Sequence, residues 1–172
     1  QRFARLAAGQ TVLVIGSGGV STFAIQLARI AGARIVAVTS TEARAERLRA
    51  LGAEHTVSYR EDPAWGRTIR RWSQGGVDLV IEVGGAGTFE QSLDAVRVGG
   101  TVAVIGNLAG GTAKGLSLLP ILMRQIRCQG VFVGHRRGFE QLCRALATHA
   151  IHPVVDTVIP YDRAPDALRK LE

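Results

Sequence analysis

The sequence predicts an α/β fold, a parallel sheet with helices on both faces, and three observations carry that expectation. Short β-branched runs alternate along the chain with longer stretches of helical periodicity, the pattern of strands joined by crossover helices. The strand-like runs are nearly all apolar, as strands are when helices cover both faces of their sheet. A glycine-rich segment, Gly16-Ser17-Gly18-Gly19, stands between the first such run and the first helical stretch. With 172 residues and 47% hydrophobic content the chain fits one domain with one substantial core. Aromatic content is 5% against 21 glycines, so that core is expected to consist of Val, Ile, Leu and Ala between tight turns.

The elements follow in order. The run Thr11-Val12-Leu13-Val14-Ile15 reads as the first strand, and apolar periodicity predicts a helix over 20–31. A second strand at 34–38 leads into a helix over 42–51 that Gly52 stops. Residues 55–59 form a shorter third strand, and a helix over 63–72 opens with Pro63, where proline is tolerated. A fourth strand at 77–81, a helix over 89–96 and a fifth strand at 101–105 complete the regular alternation. Beyond Gly106 come a loop with Gly110, Gly111 and Gly115, an apolar stretch at 116–123, a sixth strand at 128–133 and a helix over 139–149. An extended piece at 153–159 and a helix over 165–171 finish the chain. No linker, repeat or low-complexity segment interrupts it.

The formal net charge of +7 and pI near 10.6 raise nucleic acid or an anionic membrane as partners. Position argues against both. Arg44, Arg47 and Arg49, like Arg67, Arg70 and Arg71, are interleaved with other residues on helices, the arrangement of a solvated face, and there is no basic tail or aromatic-basic stripe. The expectation is no nucleic acid and no membrane, with the positive charge suited to a polyanionic cofactor. Cys128 and Cys143 form no CxxC and are expected to pack as small hydrophobes. The apolar runs stop short of the ~20 residues a membrane helix needs, and nothing at the N-terminus reads as a signal peptide. A soluble, reduced, cytoplasmic protein is expected.

The chemistry-bearing motif is the run from Gly16 to Ser21, placed where the dinucleotide fingerprint G-x-G-x-x-G belongs, between strand and helix. The first glycine permits the turn, the second lets backbone approach a pyrophosphate, and the helix N-terminus offers free N–H groups and a positive dipole end. Ser21 replaces the third glycine. About 20 residues on, where NAD-preferring domains place a carboxylate for the ribose, stand Thr39-Ser40-Thr41, with Arg44 one turn into the helix. Hydroxyls and a guanidinium suit a 2′-phosphate, which points to NADP, with NAD as the alternative. The other reading is that Ser40 or Thr41 only caps the helix and Arg44 is a surface charge.

The run 12–21, with Gln26-Leu27-Ala28 and Ala31-Gly32-Ala33, resembles the start of the cofactor domain of medium-chain dehydrogenase/reductases, the superfamily of alcohol dehydrogenases and quinone oxidoreductases. Leu51-Gly52-Ala53-Glu54-His55, Gly76-Val77-Asp78, Val83-Gly84-Gly85 and the run from Val98 to Gly106 resemble that family's later segments in the same order, so the match covers nearly the whole chain. The resemblance implies a Rossmann fold, a doubly wound six-stranded parallel sheet, with a nicotinamide dinucleotide across the strand ends. It implies Ser17, Gly18, Gly19 and Val20 beside Gly16 for the pyrophosphate, and Ser40, Arg44 and Tyr59, next to Thr39, for the adenosine phosphate. For the ribose and nicotinamide it implies Val83, Gly84, Ile105, Gly106 and Asn107, with Val133, Gly134 and His135 after the sixth strand.

In that superfamily the substrate site, and the catalytic zinc where there is one, lie mostly on a separate N-terminal domain, which is expected to be absent from these 172 residues. No metal site is expected here: the cysteines lack partner spacing, and His149 and His152 straddle a helix end before Pro153. No Ser/His/Asp set or carboxylate pair suggests acid/base work, and Asp78 reads as satisfying a turn at a strand start. The expected activity is hydride transfer between NAD(P)(H) and a small alcohol, carbonyl or quinone in the full-length enzyme, with cofactor binding but little turnover in this segment. A non-catalytic nucleotide-sensing module is the alternative, and a methyltransferase is disfavoured by the missing acid at the second strand end. The apolar strand at 128–133 would leave an open sheet edge, so a homodimer through it is expected, as in related dehydrogenases, with 116–123 helping to cover the contact.

Overall fold

A computed structural model describes residues 6–113 and 115–171. Six parallel strands are present: β1 (Thr11–Ile15), β2 (Arg34–Thr39), β3 (His55–Ser58), β4 (Val77–Glu82), β5 (Val96–Val104) and β6 (Arg127–Gly130). Their order across the sheet is β3-β2-β1-β4-β5-β6, the doubly wound arrangement with its switch point between β1 and β4. The helices are α1 (Gly19–Ile30), α2 (Glu42–Leu51), α3 (Trp65–Trp72), α4 (Phe89–Ala95), α5 (Leu119–Met123), α6 (Arg136–Thr148) and α7 (Ala164–Leu171). No helix is long and apolar enough to cross a membrane among the described residues.

The two faces of the sheet follow from the two-residue period of a strand. Val12 and Val14, with Ile35 and Ala37, turn to one face and pack with Ile25 and Ala28 of α1 and Leu48 of α2. Leu13 and Ile15, with Val36 and Val38, turn to the other and pack with Trp65 and Ile69 of α3 and Leu93 of α4. Because both faces are covered, β1 is buried at every position and strand alternation between apolar and polar disappears from the sequence. Helix α1 buries Ser21, Thr22, Ile25 and Ala28, a stripe at helical spacing along its sheet-facing side. Helix α2 stops where Gly52 takes a positive φ of 122° that an L side chain rarely adopts.

Several boundaries differ from the sequence expectation. Strand β5 starts at Val96 rather than 101, because residues 96–100 run on beside the start of β4 with a register shift between Val77 and Leu79. Strand β6 ends at Gly130 rather than 133. Val131 N–H still donates to Val104 O at 2.9 Å, but β5 ends at Val104, so the next residues have no ladder to join. Helix α3 opens at Trp65 because Asp62 Oδ1 accepts the Ala64 N–H at 2.9 Å in a preceding turn. Residues 153–159 form no sheet strand, and the nearby chain is tied down by Gln26 Nε2 donating to His152 O. Cys128 and Cys143 are both exposed, contrary to the expectation of core packing, since one lies on the open edge strand and the other on α6, which buries no residue. Asp78 accepts from the Thr11 N–H at 2.8 Å and Arg97 Nε at 2.7 Å, so it joins the starts of β1, β4 and β5.

Candidate cofactor-binding site

The candidate site is built from four turns at the carboxyl ends of the strands, after β1, β2, β4 and β5. At the first, Gly16 has φ +79° and donates its N–H to Val38 O at 2.7 Å, which carries the β1–β2 pairing into the turn. Gly18 is different. Its φ of −79° and ψ of −176° suit any residue, and a Cβ there would meet no protein atom within 4 Å. Neither conformation nor packing within this chain calls for glycine at this position. Helix α1 begins there with no acidic residue in its first turn and no side-chain cap, and its first backbone bond runs from Thr22 N–H to Gly18 O. The N–H groups of the first turn are thus the kind that bind anions. Val20 is exposed beside them. Ser21 is buried in the third-glycine position, where its hydroxyl donates to Ile15 O at 2.7 Å and ties helix to strand.

At the second turn Arg44 Nη1 donates to Ser40 Oγ at 2.9 Å, so the two side chains form one unit. Thr41 holds the N-cap position of α2 but its side chain makes no cap bond, and Ser40 is occupied with Arg44. Thr39 and Ser40 are buried, while Tyr59 is exposed and donates its backbone N–H to Thr39 O at 3.0 Å. Thr39, Ser40, Arg44 and Tyr59 therefore share one corner, next to the glycine turn through the β1–β2 ladder.

The third part joins the turns after β4 and β5. Ile105 N–H donates to Glu82 O at 2.8 Å, Leu108 N–H to Val83 O at 3.3 Å, and Ala109 N–H to Gly84 O at 2.6 Å. These bonds bring Val83, Gly84, Ile105, Gly106 and Asn107 into one laced pair of turns. Glu82, which with Asp78 brackets the apolar fourth strand in sequence and has no role assigned there, is fully buried beneath them. The signal for it was a glutamate closing an apolar strand directly before Val83-Gly84-Gly85. Val133, Gly134 and His135 lie exposed past the end of β6, and His135 caps α6 by accepting the Gly138 N–H on Nδ1 at 3.0 Å. No hydrogen bond joins these three to the other three groups among the described residues.

The residues present do not fit a zinc site. No three His, Cys, Asp or Glu side chains cluster closely enough to hold a metal ion among the described residues. A dinucleotide phosphate fits better, since the glycine turn offers open space and α1 carries no acidic residue in its first turn.

The sequence pattern of the family described as zinc-binding dehydrogenase matches residues 19–148. A zinc-type alcohol dehydrogenase-like protein of Schizosaccharomyces pombe is 39% identical over 163 residues, covering 92% of this chain and 47% of that protein. Among solved structures, one described as a putative alcohol dehydrogenase from Sinorhizobium meliloti superposes with a TM-score of 0.90 at 35% identity, covering 96% of this chain and 48% of that one. The crotonyl-CoA carboxylase/reductase AntE, solved in complex with NADP, superposes with a TM-score of 0.82 at 28% identity over 91% of this chain and 44% of that one. The chain thus spans about half the length of the relatives it matches. A doubly wound sheet, a glycine turn between its first strand and helix, and a family pattern over most of the sequence agree: the chain belongs to the zinc-binding dehydrogenase family, within the medium-chain dehydrogenase/reductases.

Proposed function

We propose that this chain is the NAD(P)-binding domain of an oxidoreductase that transfers hydride between the cofactor and a small alcohol, carbonyl, quinone or enone. The observation that carries the reading is Gly18, a glycine that neither backbone conformation nor packing requires. The N–H groups around Ser17, Gly18, Gly19 and Val20 would hold the pyrophosphate, and the Arg44–Ser40 unit the adenosine 2′-phosphate. Across the switch point, the turns holding Val83, Gly84, Ile105, Gly106 and Asn107 would receive the nicotinamide half, with Val133, Gly134 and His135 at its outer side. When bound, the dinucleotide supplies the hydride donor or acceptor, while these residues bind and orient it. Substrate groups, and zinc if the whole enzyme uses it, belong to a part of the protein outside these residues, so the segment binds cofactor with little or no turnover. The relatives bear oxidoreductase names, which favours this reading over a non-catalytic nucleotide sensor.

NADPH is expected to bind more tightly than NADH, because no carboxylate stands at the end of β2 and the exposed Arg44 guanidinium is already held by Ser40. Titration calorimetry tests both claims. Gly18→Leu should fold normally, given its open surroundings, yet lose both cofactors. Arg44→Ala should weaken NADPH by about tenfold, the low end for a charge-assisted bond at a solvated rim, and leave NADH nearly unchanged. Unaltered binding in Gly18→Leu would remove the glycine turn from the site, and equal losses for both cofactors in Arg44→Ala would remove the NADP preference.

The exposed β6 edge, with Leu118, Leu119, Leu122 and Met123 beside it in sequence and exposed, is proposed as a homodimer interface. A cytoplasmic location is part of the same proposal, which the two free, exposed cysteines support.

A further inference from the structure

Glu82 has a fully buried side chain at the end of β4, and none of the roles assigned above uses it. Burying a carboxylate is costly unless its oxygens are satisfied. Here four donors converge on it. Oε1 accepts from the Gly84 N–H at 2.7 Å, the Gly85 N–H at 3.0 Å and the Thr88 hydroxyl at 2.6 Å, and Oε2 accepts from the Ser92 hydroxyl. The carboxylate therefore clamps its own following turn to the start of α4.

That clamp leaves little freedom above it. A Cβ at Gly84 would stand 2.3 Å from Thr88 Oγ1, and one at Gly85 would stand 2.6 Å from Gly110 O, so the turn leaves only glycine-sized gaps at both positions. Gly84 O and Val83 O are in turn occupied by the N–H groups of Ala109 and Leu108. The contrast with the glycine turn after β1 is chemical. There the N–H groups of Ser17 to Val20 meet no acceptor outside the helix among the described residues and suit an anion, whereas here Glu82 takes up the N–H groups of Gly84 and Gly85. A turn with its donors removed suits an uncharged or cationic ring rather than a phosphate.

We propose that Glu82 is a positioning residue for the nicotinamide half of the cofactor, acting through the Val83–Gly85 turn and, by the laced bonds, through Ile105 to Asn107. The inference rests on the proposed dinucleotide function. A dinucleotide lying across the switch point, with its adenosine phosphate at Arg44, must extend its other half toward the ends of β4 and β5.

The test separates the two halves of the ligand by using NADPH and 2′,5′-ADP, which lacks the nicotinamide. Glu82→Ala should weaken NADPH by about tenfold or more, as loss of bonds to a charged group implies, while 2′,5′-ADP affinity stays within about twofold. Glu82→Gln should restore most of the NADPH affinity, because its amide oxygen still accepts from the turn and its NH2 can donate to Ser92. If Glu82→Ala does not fold, Ser92→Ala and Thr88→Val each remove one donor and should show the same selective loss at smaller size. Equal weakening of both ligands, or no weakening of either, overturns the positioning role and leaves a purely structural carboxylate. Wild-type protein that binds neither ligand would instead overturn the dinucleotide function itself.

Discussion

The two edges of the sheet are built from strands of equal length and finished in opposite ways. At one edge, β3 is covered: Trp72 at the end of α3 stacks on His55 with ring centroids 5.1 Å apart, and the Arg34 guanidinium lies 4.7 Å from the Trp72 ring. Arg34 also forms two hydrogen bonds to Glu54, at 2.9 and 3.0 Å, and Arg49 reaches Thr56 Oγ1 at 2.6 Å. At the other edge, Arg127, Cys128 and Gly130 of β6 are exposed, and Phe132 just beyond is 91% accessible. Leu118, Leu119, Leu122 and Met123, which precede β6 in sequence, are also exposed. Exposed strand edges and apolar patches are features that proteins usually cover. One edge is thus completed by the chain's own aromatic and charged side chains, while the other leaves its strand and the neighbouring apolar side chains exposed.

Truncating one large apolar residue in the core and one at the bare edge gives the largest contrast. Leu13 is fully buried at the centre of the sheet, and Leu13→Ala should cost about 2–5 kcal/mol, measured by denaturant unfolding. Phe132→Ala removes more carbon but should change monomer stability by less than about 0.5 kcal/mol, because the ring is already in water. The same variant should shift the proposed homodimer toward monomer in sedimentation equilibrium. A Phe132→Ala protein as unstable as Leu13→Ala would mean that the β6 flank is packed, and an unchanged association state would move the interface elsewhere.

A smaller effect is expected at the covered edge. Trp72→Ala removes the stack on His55 and the guanidinium contact with Arg34 but leaves the Arg34–Glu54 pair in place. An aromatic pair adds about 0.5–1.5 kcal/mol beyond its buried area and an exposed cation–π contact about 0.5–1, so a loss between those of Phe132→Ala and Leu13→Ala should appear. A loss no larger than that of Phe132→Ala would show that aromatic cover does not distinguish the two edges.

The centre of the fold was legible because local signals there agree with tertiary structure. The β1–glycine–α1 sequence switches from a solid apolar run to helical spacing across residues that only a turn accommodates, and a parallel sheet follows from such units in series, whereas the six-stranded doubly wound order was implied only by the family resemblance. The edges were not legible, since Cys128-Gln129-Gly130-Val131-Phe132-Val133 has the composition of a full strand, and its length is set by where β5 ends, a non-local fact. Within the site, Gly16, Gly18 and the Ser40–Arg44 pair could be named because turn geometry and charge mark them in sequence. Glu82 was visible as the end of an apolar strand but its role was not, because the hydroxyls that close on it come from Thr88, the N-cap of α4, and Ser92 within α4, a pairing that only the fold brings about.

The smallest prediction concerns pH at the covered edge. Burial against Trp72 pushes the His55 imidazolium toward neutrality, lowering its pKa, while the neighbouring Glu54 charge opposes that shift. Glu54 is itself held below the usual carboxylate range by its hydrogen bonds to Arg34, so it stays ionised through the range where histidine titrates. The unfolded chain takes up a proton on His55 near pH about 6.5, whereas the folded chain does so only at lower pH. The contribution of neutral His55 is therefore complete above about pH 6.5 and is lost as pH falls through the folded value. Thermal unfolding of wild type and His55→Phe, which keeps an aromatic ring on Trp72, should diverge between pH 7 and 5, with wild type losing more. Glu54→Gln should widen the loss, because removing the supporting charge lowers the folded pKa further. The contribution of the Glu54–Arg34 pair fades only below about pH 4.3, so the two effects separate on the pH axis. Parallel curves for wild type and His55→Phe from pH 7 to 5 would show that the ring on this edge is as open to water as the side chains of β6.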